Sequence, residues 1–390
     1  RYFQASHTNL ANMKIKKYRL GIALTAILTT SYMACRKALD IPPPTQSEAS
    51  YFTKESDYRT AIIGVYASLT DFYSTSSSSG GSGDAELQSF YLPGDDLTIN
   101  TSNPFEIFGG SINPANGDID HFYKSNYIMI GRANKVLQKL ETAPAGVFTT
   151  ANLQSYIKGE ALFLRAFGEY QLWNAFGTAP VVTKVVTSLN DVNVPSSKGT
   201  ELLDQAVKDL TDASTMLPTS WTGGDIGRVT AKGAYGMLGK VLVFRATVNK
   251  STADYQAAIA AFNKISGASL VDNFEDNFDY QKENNSESLF EFQAGADLNS
   301  PGSTNAWLAN DQCDCGVASA YYQMFIPDGP GTYMGGGMYT PTNKLKNAFE
   351  PADPRLHYIM KDDKSAIIKY VLHDSNDGAV NSINNYRILR

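Results

Sequence analysis

The stretch Leu153–Phe176, LQSYIKGEALFLRAFGEYQLWNAF, decides the fold. Ile157, Ala161, Leu164, Ala166, Phe167, Tyr170, Leu172 and Trp173 give it apolar residues at helical spacing. The stretch is long enough for several helical turns and contains no proline. Gly177 follows at once, where a helix C-cap would place glycine. Arg165 stands among the apolar residues and would need a buried partner, a carboxylate by preference.

The same period continues on both sides. Upstream, Glu55–Tyr73 carries Tyr58, Ala61, Ile62, Val65, Tyr66 and Leu69 on one face, and Ile119–Leu140 carries Phe122, Tyr127, Ile130, Ala133, Val136 and Leu137. Downstream come Thr200–Leu217, stopped by Pro218, then Thr230–Val248 and Asp254–Ile265. These segments predict an all-α body. Small residues (Ala161, Ala166, Gly168, Ala234, Gly236, Gly239) alternate with large ones, which suits tetratricopeptide-like helix pairs, although no clean repeat period is visible. Long irregular stretches interrupt the helices: Ser/Gly-rich Ser74–Gly83, then Glu86–Asn116 and Gly267–Asn343. Loops of that length in a compact body are functional or disordered. Phe105, Phe108, Trp307, Tyr321, Tyr322, Tyr333 and Tyr339 favour order and function.

Charge narrows the partners. Lys and Arg total 33 against 39 Asp and Glu, a net of -6, so there is no basic excess for nucleic acid. The 22 Tyr and 19 Phe supply flat apolar faces, and Tyr adds a hydroxyl, the combination a sugar ring needs. His7, His121, His357 and His373 form no catalytic or metal-binding spacing. Asp95/Asp96 and Glu283/Glu287 are the acids a glycosidase reading would use, but no spacing singles out a pair. Asn113–Asp120 and Asp374–Gly378 lack the alternating ligands of a calcium loop. No cofactor or metal is expected. Cys313 and Cys315 could pair, hold half a metal site or remain thiols.

The start of the chain reads as an export signal. Residues 1–12 have no signal character and are taken as an upstream leader. From Met13, Lys14, Lys16, Lys17 and Arg19 precede the short apolar run Leu20 to Thr30. Ala34-Cys35 then resembles a lipobox, with Tyr32 where Leu is preferred, and makes Cys35 the lipidation site. Pro42, Pro43 and Pro44 give an extended tether. The expected organisation is a signal peptide at 13–34, a lipid-anchored tether at 35–47, an N-terminal helical region at 48–225 and a C-terminal region at 226–390.

Several ordered pieces resemble the SusD/RagB family. They are Cys35 with Leu39-Asp40-Ile41, Gly64-Val65-Tyr66-Ala67-Ser68-Leu69, and Tyr123 through Gly131-Arg132-Ala133-Asn134. Next come Glu160-Ala161 with Leu164-Arg165-Ala166-Phe167, Phe176-Gly177 and Pro180-Val181-Val182. Gly227-Arg228-Val229-Thr230 with Gly233-Ala234, and Asp353-Pro354-Arg355-Leu356, complete the set. The resemblance implies a helical scaffold with long ligand-binding loops. It also implies a lipoprotein on the outer membrane that captures glycans, or sometimes peptides, and hands them to a SusC-like TonB-dependent transporter, without catalysis. Asn385 to Arg390 look like the approach to a further family helix, so the chain is expected to stop short of a full member. The family has no local motif for its sugar contacts. The residues that suit the role are Trp307, Tyr321, Tyr322, Tyr333 and Tyr339, with Asn310 and Asp311, and Asp95 and Asp96 in the earlier loop. A helical-repeat surface protein binding only protein or peptide partners is the rival reading.

Overall fold

A computed structural model describes residues 51–69, 94, 96–99, 117–278, 282–291, 339–350, 352–353 and 355. Seven α-helices lie among them: α1 (Glu55–Tyr66), α2 (Gly117–Glu141), α3 (Leu153–Phe176), α4 (Glu201–Met216), α5 (Ala231–Asn249), α6 (Thr252–Phe262) and the short α7 (Asn343–Ala348). Two three-residue strands, β1 (Leu97–Ile99) and β2 (Tyr339–Pro341), form one antiparallel ribbon. The body is helical, as the apolar period predicts. By contacts the chain divides into Arg1–Thr53 and Lys54–Arg390, and all of these helices and strands belong to the second unit.

Helices pack in sequence order: α2 on α3, α3 on α4, α4 on α5 and α5 on α6, while α1 lies on α2 and α3. α3 is the central member. Leu153, Ile157, Ala161, Leu164, Ala166 and Leu172 are all buried on it. Leu202, Leu203, Ala206 and Leu210 of α4 and Met129, Ile130 and Ala133 of α2 meet it from the two sides.

The small residues set the spacing. A Cβ at Gly168 would lie 3.1 Å from Ile130 and Met129, so glycine lets α2 and α3 close up. On α5, Gly236 and Gly239 seat Leu289 and the Phe262 ring, and a Cβ at Gly239 would fall 2.3 Å from that ring. Helix ends differ slightly from the sequence reading. α1 stops at Tyr66 and tightens into a 3-10 turn over Ala67–Leu69. α4 stops at Met216, because Leu217 precedes Pro218 and adopts extended backbone. α6 begins at Thr252, because the Ser251 side chain caps it by accepting from Asp254 N at 3.1 Å. The stretch from Gly267 to Asn343, read as irregular, contains a 3-10 turn at Phe274–Phe278 and the strand β2.

After α3 the chain turns on Gly177, whose φ of +72° suits glycine and whose N–H donates to Trp173 O at 2.8 Å. It then runs as a strap across α2 and α3. The strap's carbonyls are taken by side chains: Tyr127 Oη donates to Pro180 O (2.7 Å), Asn134 Nδ2 to Val182 O (2.8 Å) and Arg165 Nη1 to Thr183 O (3.3 Å).

Candidate ligand-binding site

The ribbon pairs a short piece of the earlier long loop with the end of the later one. β1 belongs to the earlier loop and β2 to the later one, and they pair as Leu97↔Pro341, Thr98↔Thr340 and Ile99↔Tyr339. Thr342 N–H extends the pairing by donating to Asp96 O at 2.8 Å. Thr342 Oγ1 then accepts from Leu345 N at 3.2 Å and starts α7. Leu97 is buried and Asp96 is exposed. Of the sequence candidates, the structure brings Asp96 and Tyr339 onto one ribbon. They sit toward its opposite ends, about 10 Å apart at a strand rise of ~3.3 Å per residue. Asp95, Trp307, Asn310, Asp311, Tyr321, Tyr322 and Tyr333 lie outside the described residues, as do Cys35, Cys313, Cys315, Phe105 and Phe108.

The alternative acids are engaged differently. Glu287 Oε2 accepts from Val271 N at 3.1 Å, so its carboxylate fixes a turn. Among the described residues, no cluster of His, Cys, Asp and Glu could hold a metal ion. No helix among them is long and apolar enough to cross a membrane.

The helical scaffold is fastened by two buried ionic networks, and both consist largely of the motif residues that carry the family resemblance. Arg165 forks onto Asp209, with Nε to Oδ2 at 2.6 Å and Nη2 to Oδ1 at 2.8 Å, and its Nη1 reaches Asn134 Oδ1 at 2.8 Å. This is the carboxylate partner that Arg165 required. Glu160, fully buried, takes Arg228 Nε and Nη2 at 2.7 and 2.6 Å and the Tyr66 hydroxyl at 2.8 Å. Arg228 also reaches Asp225 and lies 4.2 Å from the centre of the Trp221 ring. Burial alone would lower the pKa of the Arg228 guanidinium, but Glu160 and Asp225 outweigh it and hold the group protonated. Gly227, at φ +96°, lets the chain turn into this contact. The motif residues therefore build the scaffold, and their roles are structural.

Residues 51–243 match the SusD-like family described as "Starch-binding associating with outer membrane". The chain belongs to the SusD/RagB family. Its SusD-like relatives include SusD-like protein P2 of Formosa agariphila, 25% identical over 295 residues, covering 74% of this chain and 52% of the relative. SusD-like protein P38 of the same organism is 22% identical over 260 residues, covering 64% and 46%. The chain thus spans about half the length of the curated relatives it matches. Among solved structures, a laminarin-binding SusD-like protein superposes with a TM-score of 0.62 at 21% identity, covering 81% of this chain and 70% of the other. A SusD superfamily protein from Parabacteroides distasonis gives 0.63 at 19% identity, covering 86% and 68%. Surface glycan-binding protein A from Bacteroides thetaiotaomicron gives 0.61 at 19% identity, covering 79% and 63%. At these identities the likeness establishes the SusD-like helical fold.

Proposed function

We propose that this SusD-like chain captures oligo- or polysaccharide at the bacterial surface and delivers it to a TonB-dependent outer-membrane transporter, without cleaving it. The observation that carries this reading is the family match over residues 51–243, which covers α1 to α4 and most of α5. The ribbon supports a location for the ligand: it ties the earlier loop to the later one, and loops on a helical scaffold are where binding residues concentrate. In this proposal Trp307, Tyr321, Tyr322, Tyr333 and Tyr339 supply stacking faces. Asn310, Asp311, Asp95 and Asp96 supply hydrogen bonds to sugar hydroxyls. Cys35 carries the lipid that holds the protein at the outer membrane, with residues 36–47 as the tether. More than one acyl chain is needed for stable anchoring.

Calorimetric titration against a polysaccharide panel headed by starch and laminarin, with reducing-sugar release assayed in the same samples, tests the proposal. Saturable binding without products is the expected result, with binding lost in Trp307→Ala. Released sugar would contradict the non-catalytic reading, and no binding to any glycan alongside binding to peptides would contradict the substrate class. Mass spectrometry of the membrane-extracted protein should find acyl chains on Cys35.

A further inference from the structure

Glu169 is the one carboxylate of α3 that the two ionic networks leave out. It is completely buried, and among the described residues neither of its oxygens has a hydrogen-bond partner. Among the described residues, three ionisable groups act on it electrostatically: Arg165, one turn earlier on the same helix, Asp209 from α4 and Tyr127 from α2. Of these, Arg165 alone could neutralise a Glu169 carboxylate, and its three nitrogens are already directed at Asp209, Asn134 and Thr183 O. One guanidinium thus stands between two buried acids and is committed to one of them. Burial, reinforced by the Asp209 charge and only partly opposed by Arg165, pushes the Glu169 carboxyl well above the usual carboxylate range.

The two donors near Glu169 are the same groups that hold the strap. Tyr127 Oη donates to Pro180 O and Arg165 Nη1 to Thr183 O. A buried carboxylate is a stronger acceptor than a backbone carbonyl, because a hydrogen bond to an ionised group is roughly twice as strong as a neutral one. We propose that Glu169 is a proton-operated latch. Folded, it is carried as the neutral acid, and its ionisation draws the Tyr127 hydroxyl and the Arg165 guanidinium off the strap carbonyls of Pro180 and Thr183. The proton released goes to solvent, and the strap is the element that loosens.

The direction with pH follows from proton counting. In the folded protein Glu169 keeps its proton to higher pH than it does in the unfolded chain. The stability tied to it is therefore fully present below the ordinary glutamate range and is lost as pH rises toward the folded value. Across that window the folded state binds one more proton than the unfolded state. The folding equilibrium constant should then fall about tenfold per pH unit.

The test is denaturant unfolding of the protein and of Glu169→Gln at intervals from pH 5 to 9, with hydrogen exchange read at Ala179 and Ser197, the amides hydrogen-bonded at the start of the strap. Wild type should lose folding constant relative to the variant by about tenfold per pH unit. Its strap amides should also gain exchange, beyond the intrinsic pH effect, that the variant does not gain. Tyr127→Phe, which removes one of the two donors, should show weakened strap protection already at pH 5 and a smaller alkaline increment. Parallel pH profiles for wild type and Glu169→Gln would overturn the proposal. If Glu169→Gln does not fold, infrared spectroscopy of the wild type reads the same proton. A buried carboxylic-acid carbonyl band present at pH 5 and lost on raising the pH as strap exchange accelerates supports the latch, and absence of the band at pH 5 overturns it.

Discussion

Replacing Arg165 by Met probes the pair on which the centre of the scaffold rests. The Arg165 side chain is 8% exposed and that of Asp209 is fully buried. Methionine would fill much of the space of the arginine stem, so the change removes chiefly the guanidinium and its two bonds to Asp209 at 2.6 and 2.8 Å. Asp209 would keep only the Gln205 amide, at 2.9 Å, with Glu169 as a second acid beside it. Breaking a buried pair from one side costs about 3–5 kcal/mol, because the remaining charge has nothing to offset its desolvation. At about 2–4 °C per kcal/mol for a body of this size, the melting temperature should fall by roughly 6–20 °C. Adding Asp209→Leu to Arg165→Met should restore most of the loss, since an apolar pair of similar volume is often as stable as a buried ion pair. Urea unfolding at pH 7 measures all three proteins. A single-variant loss below about 1 kcal/mol, or a double variant worse than the single, would refute the assignment of Arg165 as the charge that balances Asp209.

Glu55 ties α1 to the α2–α3 connection by accepting from Thr149 N and Oγ1 and Thr150 N and Oγ1 at 2.7–3.1 Å. Desolvation would raise its pKa, but these bonds and Arg59 outweigh it and bring it down to about 2. The stability it contributes is present above the ordinary carboxylate range and is lost as pH falls through about 2. Glu55→Gln should therefore lower the melting temperature at pH 7 and match wild type near pH 2 in an acid series. The α5 glycines should differ in tolerance. A Cβ at Gly233 meets the backbone oxygen of Leu289 at 2.8 Å, whereas at Gly239 it meets the ring of Phe262, which is 41% exposed and can swing away. Gly233→Ala should cost about 1–3 kcal/mol from overpacking. Gly239→Ala should cost less, because the exposed ring can give way where the Leu289 backbone oxygen cannot. Denaturant midpoints of the two variants check the order.

The helical body is legible in the sequence because its signal is local. Leu153–Phe176 repeats its apolar face over six turns, and Arg165 announces a buried acid by standing within that face. Which acid it is cannot be read, since Asp209 lies on the next helix and looks like any helical surface aspartate until α3 and α4 are packed. Glu169 is hidden for the same reason. The apolar period places the start of α6 two residues late, although Ser251 and Asp254 carry the capping spacing. The ribbon has no local signal. Strands of three residues are too short for an alternating pattern, Pro341 argues against a strand, and the partners come from loops far apart in the chain. Of the candidate contacts, Asp96 and Tyr339 are joined by this pairing, a long-range event that composition alone does not report.

The most direct test of glycan capture by the ribbon and its loops is hydrogen exchange with and without the polysaccharide that binds most tightly in the calorimetric panel. Added protection is expected at residues 96–99 and 339–342 and in the aromatic loop segments that flank them, with α2 to α5 unchanged. Protection confined to the helices, with the ribbon unaffected, would contradict a binding site built on the two loops.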